Sequence, residues 1–424
     1  MRPELSMPAA AGPTATHSRF VSALRGRLLR QLAGITHGHI LLEDASGRAE
    51  LGEPGAPLHA RLTVHDGAFY GAVAARGSVG AAEAYMDGLW SCDDLVALVR
   101  ILVLNRTLLD AMEGGAALLA GWLLRAAHAL RRNTLAGSRH NIAAHYDLGN
   151  EFFALFLSPD LMYSAALWEK PADTLAQASA NKLARICARL KLGARDHVLE
   201  IGGGWGGFAL YAAARHGCRV TTTTISREQQ RLALERVHRA GLEDRVTVLL
   251  EDYRALTGRY DKLVSIEMIE AIGADYLETY FAQLGRLLAP TGLALVQAIT
   301  IEDHRYAGAV RSVDFIKQHI FPGSFIPSIQ AVLNAKARAC ELALVHLEDF
   351  ALSYARTLGA WRRAFLERRA QVRALGFDER FIRMWEYYLA YCEGGFRERS
   401  IGVAQLLFAA PGYRPVAAGG FAAG

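Results

Sequence analysis

Cysteine is scarce in this chain: five residues in 424, at Cys92, Cys187, Cys218, Cys340 and Cys392, with no two close together. That scatter argues against a disulfide framework and against a zinc site, whose thiolates come in short-range pairs. Long apolar runs are missing too. The best candidate, residues 116–130, is broken by Arg125 and His128 before it reaches the roughly 18 apolar residues a membrane span needs, so it reads as an amphipathic helix. The first seventeen residues lack the basic-then-apolar pattern of a secretory signal, which leads us to expect a cytoplasmic protein. Charge of one sign is in short supply as well. A net +5 is too small to call for nucleic acid, yet it is compatible with contact at an anionic lipid surface.

What is present is a core-forming composition, 52% hydrophobic and 21% charged, over a length that favours two domains. Residues 1–18 read as a flexible tail. Phe20, Leu24, Leu28 and Leu32 then recur at helical spacing, with Arg25, Arg27 and Arg30 largely elsewhere around the helix. Such a helix packs on its own domain more readily than it touches a membrane. Short β-like runs at 39–42, 58–64 and 68–73 sit between Gly, Pro and Asp turns, and a helical pattern follows over 79–104. These features define a small α+β accessory domain at 19–132, with a polar hinge at 131–140. From 133 to 414 helices alternate with β-rich runs at 198–201, 219–224, 246–250, 262–266 and 292–299, the signature of a parallel sheet with crossover helices. Residues 415–424 form a second flexible tail.

The strongest local signal is Val198-Leu199-Glu200-Ile201-Gly202-Gly203-Gly204-Trp205-Gly206-Gly207, a strand running into a glycine-rich turn and then a helix. Glycine is needed where backbone must turn sharply and approach a ligand with no Cβ in the way. No Lys-Ser/Thr pair follows, which disfavours a phosphate-gripping P-loop. About twenty residues on, Thr221-Thr222-Thr223-Thr224-Ile225-Ser226 offers no carboxylate for a ribose, which weakens a dinucleotide reading.

With Glu200 ahead of the glycines, the segment resembles the donor motif of class I S-adenosylmethionine methyltransferases. Its surroundings are similar to one branch of them, the cyclopropane-fatty-acid and mycolic-acid cyclopropane synthases. The resemblance runs from about 140 to 404 in ordered blocks: His145-Tyr146-Asp147-Leu148-Gly149-Asn150, Tyr163-Ser164, the glycine turn, Thr224-Ile225-Ser226-Arg227-Glu228-Gln229, Asp252-Tyr253-Arg254, Ser265-Ile266-Glu267-Met268-Ile269-Glu270 and Phe321-Pro322-Gly323-Ser324-Phe325-Ile326-Pro327-Ser328. It implies a Rossmann-like α/β domain with a mostly parallel seven-stranded sheet, helices on both faces and a helical region covering a lipid. It also implies that Tyr163, Ser164, Gly202, Gly204, Thr224 and Gln229 hold the methyl donor, with Asp252 and Tyr253 beside its adenine.

The chemistry expected of such a protein is attack of an alkene on a sulfonium methyl, which leaves a carbocation. That demands a dry site with aromatic faces and a base to take up a proton. Tyr163, Trp168, Phe315, Phe321, Phe325, Tyr354, Trp361, Trp385 and Tyr388 supply aromatics near the motifs, each individually more at home as core packing. By resemblance, the base is a bicarbonate ion cradled by Glu270, Gln297, Tyr354 and the backbone at Ile299 and Ala165. Glu267, one turn from Glu270, is expected to be an ordinary solvated or structural carboxylate. The product the resemblance implies is a cyclopropane fatty acid; the alternative is a fatty acid C-methyltransferase giving a methylene or methyl branch, because the best-known members have Cys at Ala165 and His at Gln297 and losing the titratable His weakens proton removal. The resemblance implies no metal, and it implies unsaturated phospholipid acyl chains as substrate, peripheral attachment to the inner face of the membrane and an accessory domain that seats the enzyme on lipid or joins two subunits as a homodimer. The competing classes are a small-molecule N- or O-methyltransferase, which needs a polar pocket, and a lipid-binding protein with a vestigial donor site.

Overall fold

The computed structural model describes residues 19–108 and 148–414. The expected amphipathic helix at 116–130, the hinge at 131–140, most of the His145–Asn150 block and both tails lie outside the described residues, as does the boundary drawn at 132.

The N-terminal part begins with helix α1 (Arg19–Leu32), which buries Leu28 and Leu32 against its own unit. Strands β1 (His39–Asp44), β2 (Gly47–Gly52), β3 (His59–Val64) and β4 (Trp90–Cys92) form a sheet in the order β2-β1-β3-β4. Helix α2 (Ala68–Met86) lies between β3 and β4, and α3 (Leu95–Leu104) follows with Asp94 capping its N-terminus. Residues 68–73, read above as a strand, are the first turns of α2. Their aromatics fooled the period: Phe69 and Tyr70 are buried helical neighbours rather than alternating strand positions.

The second part opens with the short α4 (Asn150–Ala154) and α5 (Leu175–Leu190), the latter entered through a Thr174–Gln177 capping box. Then come β5 (His197–Ile201), α6 (Gly207–His216), β6 (Arg219–Thr224), α7 (Arg227–Arg239), β7 (Val246–Leu250), β8 (Tyr260–Ile266), α8 (Leu277–Leu287) and β9 (Leu288–Ile301). Helix α9 (Asp303–Arg311) and a π-helical turn at Ile316–Ile320 precede α10 (Ile329–Ala339), β10 (Ala343–Asp349), α11 (Ala351–Glu367), α12 (Arg369–Ala374), α13 (Glu379–Arg397) and β11 (Ile401–Ala409).

The large sheet has seven strands in the order β10-β11-β9-β8-β5-β6-β7. Ladders β9-β8-β5-β6-β7 are all parallel, and β11 enters antiparallel to both β9 and β10. The order reverses at β5, where β6 leaves on one side and β8 on the other. Such a switch point opens a crevice at the carboxyl ends of the strands.

The two parts share one hydrophobic core. Leu95, Leu98 and Ile101 of α3 and Tyr85 and Met86 of α2 belong to the same buried cluster as Trp385, Tyr387 and Leu389 of α13. Polar ties reinforce it: Arg383 donates to the carbonyls of Tyr85 and Trp90, and Arg100 pairs with Glu398.

Candidate active site

The crevice at the switch point is a cavity of about 790 Å³. Its near wall is the turn after β5. Gly202, Gly204 and Gly206 all take positive φ (82°, 53° and 80°), which L-residues with a Cβ rarely adopt. At Gly203 a Cβ would sit 1.8 Å from the Thr222 hydroxyl and 2.8 Å from a Glu200 oxygen, so the turn is closed down on its own strand. Thr222 donates to Glu200 at 2.6 Å. Burial pushes the Glu200 carboxyl up to about 7, against that hydrogen bond and the pull of Lys182.

The other expected donor contacts gather at the same end. Tyr163, Ser164, Gly202, Gly204, Thr224, Gln229, Asp252 and Tyr253 all line the cavity. Thr224, at the end of β6, donates to the Gln229 amide oxygen at 2.7 Å, and Ser226 caps α7 so that Gln229 is held in its first turn. Arg254 chelates Asp252 through Nε at 2.8 Å and Nη2 at 2.7 Å. The Tyr253 hydroxyl is buried without a hydrogen-bond partner among the described residues. Lys182, wholly buried on α5, donates to the Ser164 hydroxyl at 2.7 Å. These residues fit an adenosyl sulfonium: a backbone turn free of Cβ atoms, a hydroxyl–amide pair at the second strand and an unpaired phenol at the third.

The reactive end contains the largest departure from expectation. Glu267 follows β8 directly in a left-handed conformation, φ 48°, a strained setting for a residue with a side chain. That backbone turns its carboxylate into the cavity wall. Three donors converge on it: the Ala165 amide at 2.9 Å, Gln297 Nε2 at 2.8 Å and the Tyr354 hydroxyl at 2.7 Å. The Gln297 amide is oriented from behind, because Gln405 on β11 donates to its oxygen at 3.0 Å. Glu270, on a single turn of 3₁₀ helix, receives the Ile299 amide at 2.6 Å, while its second oxygen is buried and has no partner among the described residues. Thus Ala165, Gln297 and Tyr354, expected to cradle an ion beside Glu270, hold the side chain of Glu267 instead.

The electrostatics sort the pair. Burial pushes Glu270 up to about 8, and the neighbouring Glu267 charge pushes the same way. Burial also raises Glu267, but Tyr354, Gln297, the Ala165 amide and Lys182 oppose it. Burial raises the Tyr354 phenol far above its usual range, keeping it a donor. Glu270, pushed up to about 8, is therefore the neutral acid near pH 7, and Glu267 is the member of the pair whose ionised form the surrounding donors favour.

Of the aromatics singled out, Tyr163, Phe321, Phe325, Tyr354 and Tyr388 line the cavity. Tyr163 and Tyr388 meet hydroxyl to hydroxyl at 2.9 Å. Trp361 and Trp385 pack behind this layer, and Phe315 is buried against Tyr387. Trp168 points elsewhere, stacked under the Arg356 guanidinium at 3.9 Å. Reading the sequence passed over Lys182 and Gln405 altogether and undervalued Glu267. The available signal was the spacing of two carboxylates straight after a parallel strand.

Comparison with known proteins agrees with this geometry. The family model described as Mycolic acid cyclopropane synthetase matches residues 134–406. The chain is 38% identical over 407 residues to a protein of Mycobacterium tuberculosis named tuberculostearic acid methyltransferase UfaA1, covering 93% of this chain and 92% of that one. It is 37% identical over 356 residues to the cyclopropane-fatty-acyl-phospholipid synthase of Escherichia coli, covering 83% and 88% respectively. Among solved structures, the cyclopropane synthase MmaA2 from Mycobacterium tuberculosis superposes with a TM-score of 0.60 at 29% identity, over 64% of this chain and 98% of that one. The mycolic acid cyclopropane synthase CmaA1 complexed with SAH and CTAB gives the same values.

Proposed function

The chain belongs to the mycolic acid cyclopropane synthetase family of S-adenosylmethionine-dependent methyltransferases acting on lipid acyl chains, and on that premise we propose that it methylates the double bond of an unsaturated phospholipid acyl chain, with Glu267 as the base. The observation that carries the proposal is the seating of the Glu267 carboxylate on three fixed donors in the cavity wall.

S-adenosylmethionine, when bound, supplies an electrophilic methyl on sulfur. The residues of the chain do the rest. Gly202 and Gly204 admit the donor against backbone, and Thr224, Gln229 and Asp252 fix its nucleoside end. Apolar walls exclude water from the alkene, and the ring faces of Tyr163, Phe321 and Tyr388 surround the cationic carbon that forms when the double bond takes the methyl. The Glu267 carboxylate balances that charge and accepts the proton whose loss quenches it. Glu270, protonated, neighbours Glu267 without adding a second negative charge.

Bicarbonate does not fit this arrangement. The amide, the glutamine and the phenol that would hold the ion already hold Glu267, and an added anion would face that carboxylate in a dry site. A base fixed to the protein can reach only the hydrogens nearest it. Proton loss from the delivered methyl closes a ring while the cation sits on the neighbouring chain carbon; the same loss after a 1,2-hydride shift has moved the cation onto the methyl-bearing carbon leaves a methylene branch. We favour the branched product, because the donors here hold a side chain where a ring-closing ion was expected and because the relative matching 93% of the chain is named a tuberculostearic acid methyltransferase. A methylene branch balances with donor and base alone, whereas a methyl branch also requires a hydride donor. Cyclopropane formation is the second reading, supported by the similarity to the Escherichia coli synthase.

Peripheral attachment to the membrane face is part of the same proposal; among the described residues no helix is long and apolar enough to cross a bilayer. The test is expression in a host without its own cyclopropane synthase, with membrane fatty acids analysed by mass spectrometry and proton NMR. A chain heavier by one methylene unit with olefinic CH2 protons is expected. Upfield ring protons would favour the second reading, and unmodified lipid would overturn both.

A further inference from the structure

The far end of the cavity is not built by the methyltransferase half alone. Helix α2 kinks at Gly77 (φ 55°, ψ −132°), and the residues across the kink, Arg76 to Val79, face the cavity. A Gly-centred break is a recognised way to turn helical backbone toward a neighbour. Val79, with Val99 and Val103 of α3, forms an aliphatic wall there. The π-helical turn, tied to α2 by the hydrogen bond between His319 and Glu83, adds Lys317 to the cavity lining, a residue 7% exposed. Its ammonium donates to the carbonyls of Ala309 at 2.5 Å and Ser312 at 2.8 Å, and among the described residues no carboxylate lies within ion-pair distance. Arg106 lines the same end. The nearby acids are both engaged: Glu83 pairs with Arg76 and with His319, and Asp314 accepts the Lys317 amide at 2.9 Å. Asp314 acts on this buried ammonium only at longer range, so with two of its three protons on neutral carbonyls Lys317 has no direct ion-pair partner among the described residues.

We infer that this end of the cavity binds the oxyanion head of the acyl lipid, with Lys317 and Arg76 as its ligands and the α2 kink of the N-terminal unit as its frame. The inference rests on the acyl-chain reading above and deepens it. The aliphatic wall takes the stretch of chain nearest the head, and the cations set how deep the chain enters, which fixes the carbon presented to the methyl donor. A phosphodiester or a fatty carboxylate supplies the required charge, and the two are separable by experiment.

The test measures binding by intrinsic fluorescence for oleyl phosphate, oleate and oleyl alcohol, alongside methylation of phosphatidylglycerol and of dioleoylglycerol in mixed vesicles. Charge-assisted hydrogen bonds predict that oleyl phosphate binds about 10- to 100-fold more tightly than oleyl alcohol. Lys317→Met should reduce that ratio toward one. Since Lys317 also ties down two carbonyls, Arg76→Gln provides a second variant, expected to reduce the ratio in a protein whose thermal midpoint is checked in parallel. Oleate binding as tightly as oleyl phosphate would identify a carboxylate as the natural head; oleate binding like the alcohol would identify a phosphate. Equal affinity for phosphate and alcohol, or an undiminished ratio in both variants, overturns the inference. Absence of methylation on every lipid would instead overturn the catalytic reading, and the binding ratios would still decide this one.

Discussion

At the scale of single residues the account turns on Glu267. Its carboxylate is oriented by three donors and by a left-handed backbone, so Glu267→Gln keeps the shape of the site and removes the proton acceptor. Turnover on an oleoyl phospholipid is expected to fall by about 10²- to 10⁴-fold, the usual span for losing a general base, with affinity for S-adenosylhomocysteine unchanged by calorimetry. A parallel loss of that affinity would place Glu267 in donor binding instead. Glu270 offers a pH test. Its folded pKa lies near 8, above the value of about 4.5 for an exposed glutamate, so the folded state keeps a proton that the unfolded state releases. Stability from this group is therefore present below about pH 4.5 and is lost as pH rises toward 8. Glu270→Gln, which cannot ionise, should melt at a higher temperature than the parent at pH 7.5 and show little difference at pH 4.5. The same midpoint difference at both pH values would mean that Glu270 is charged in the fold. The sequence displayed both carboxylates, but their roles depend on φ at residue 267 and on which donors surround each oxygen, and neither can be read from spacing.

At the scale of elements, the donor turn and the strands around it were legible. The runs at 219–224 and 246–250 are β6 and β7 residue for residue, because buried parallel strands read as short apolar or β-branched blocks between helices. The glycine turn follows from the same logic, and it yields a prediction. Gly203→Ala would drive a Cβ into Thr222 and Glu200, and affinity for S-adenosylhomocysteine should fall by about tenfold or more, since overpacking typically costs about 1–3 kcal/mol. Unchanged affinity would show that the turn is not the donor site. Strand β11 was not legible: residues 401–409 are absent from the β-rich runs that the sequence displays. They are buried on both faces between β9 and β10, and an apolar block without alternation cannot be told from a buried helix by period alone.

At the scale of the whole molecule, the expectation of a separable accessory domain meets a shared core. Gly394 on α13 lets α3 approach so closely that a Cβ there would fall 2.6 Å from Val99. With Tyr85, Trp385 and Tyr387 in one buried cluster, the two parts are expected to unfold together, as a single calorimetric transition. Gly394→Leu should lower its midpoint and weaken lipid turnover together, because Val99 lines the cavity. Two resolved transitions in the parent protein would contradict the shared core. No sequence period reports such an interface, since both faces that form it read as ordinary amphipathic helices.

The most direct measurement of the central claim is turnover on an oleoyl phospholipid in buffer stripped of carbon dioxide and bicarbonate, then replenished. If the carboxylate of Glu267 is the built-in proton acceptor, the rate is the same in both conditions. A rate that collapses on depletion and returns on replenishment would contradict it, and would put a diffusible ion where the structure has a side chain.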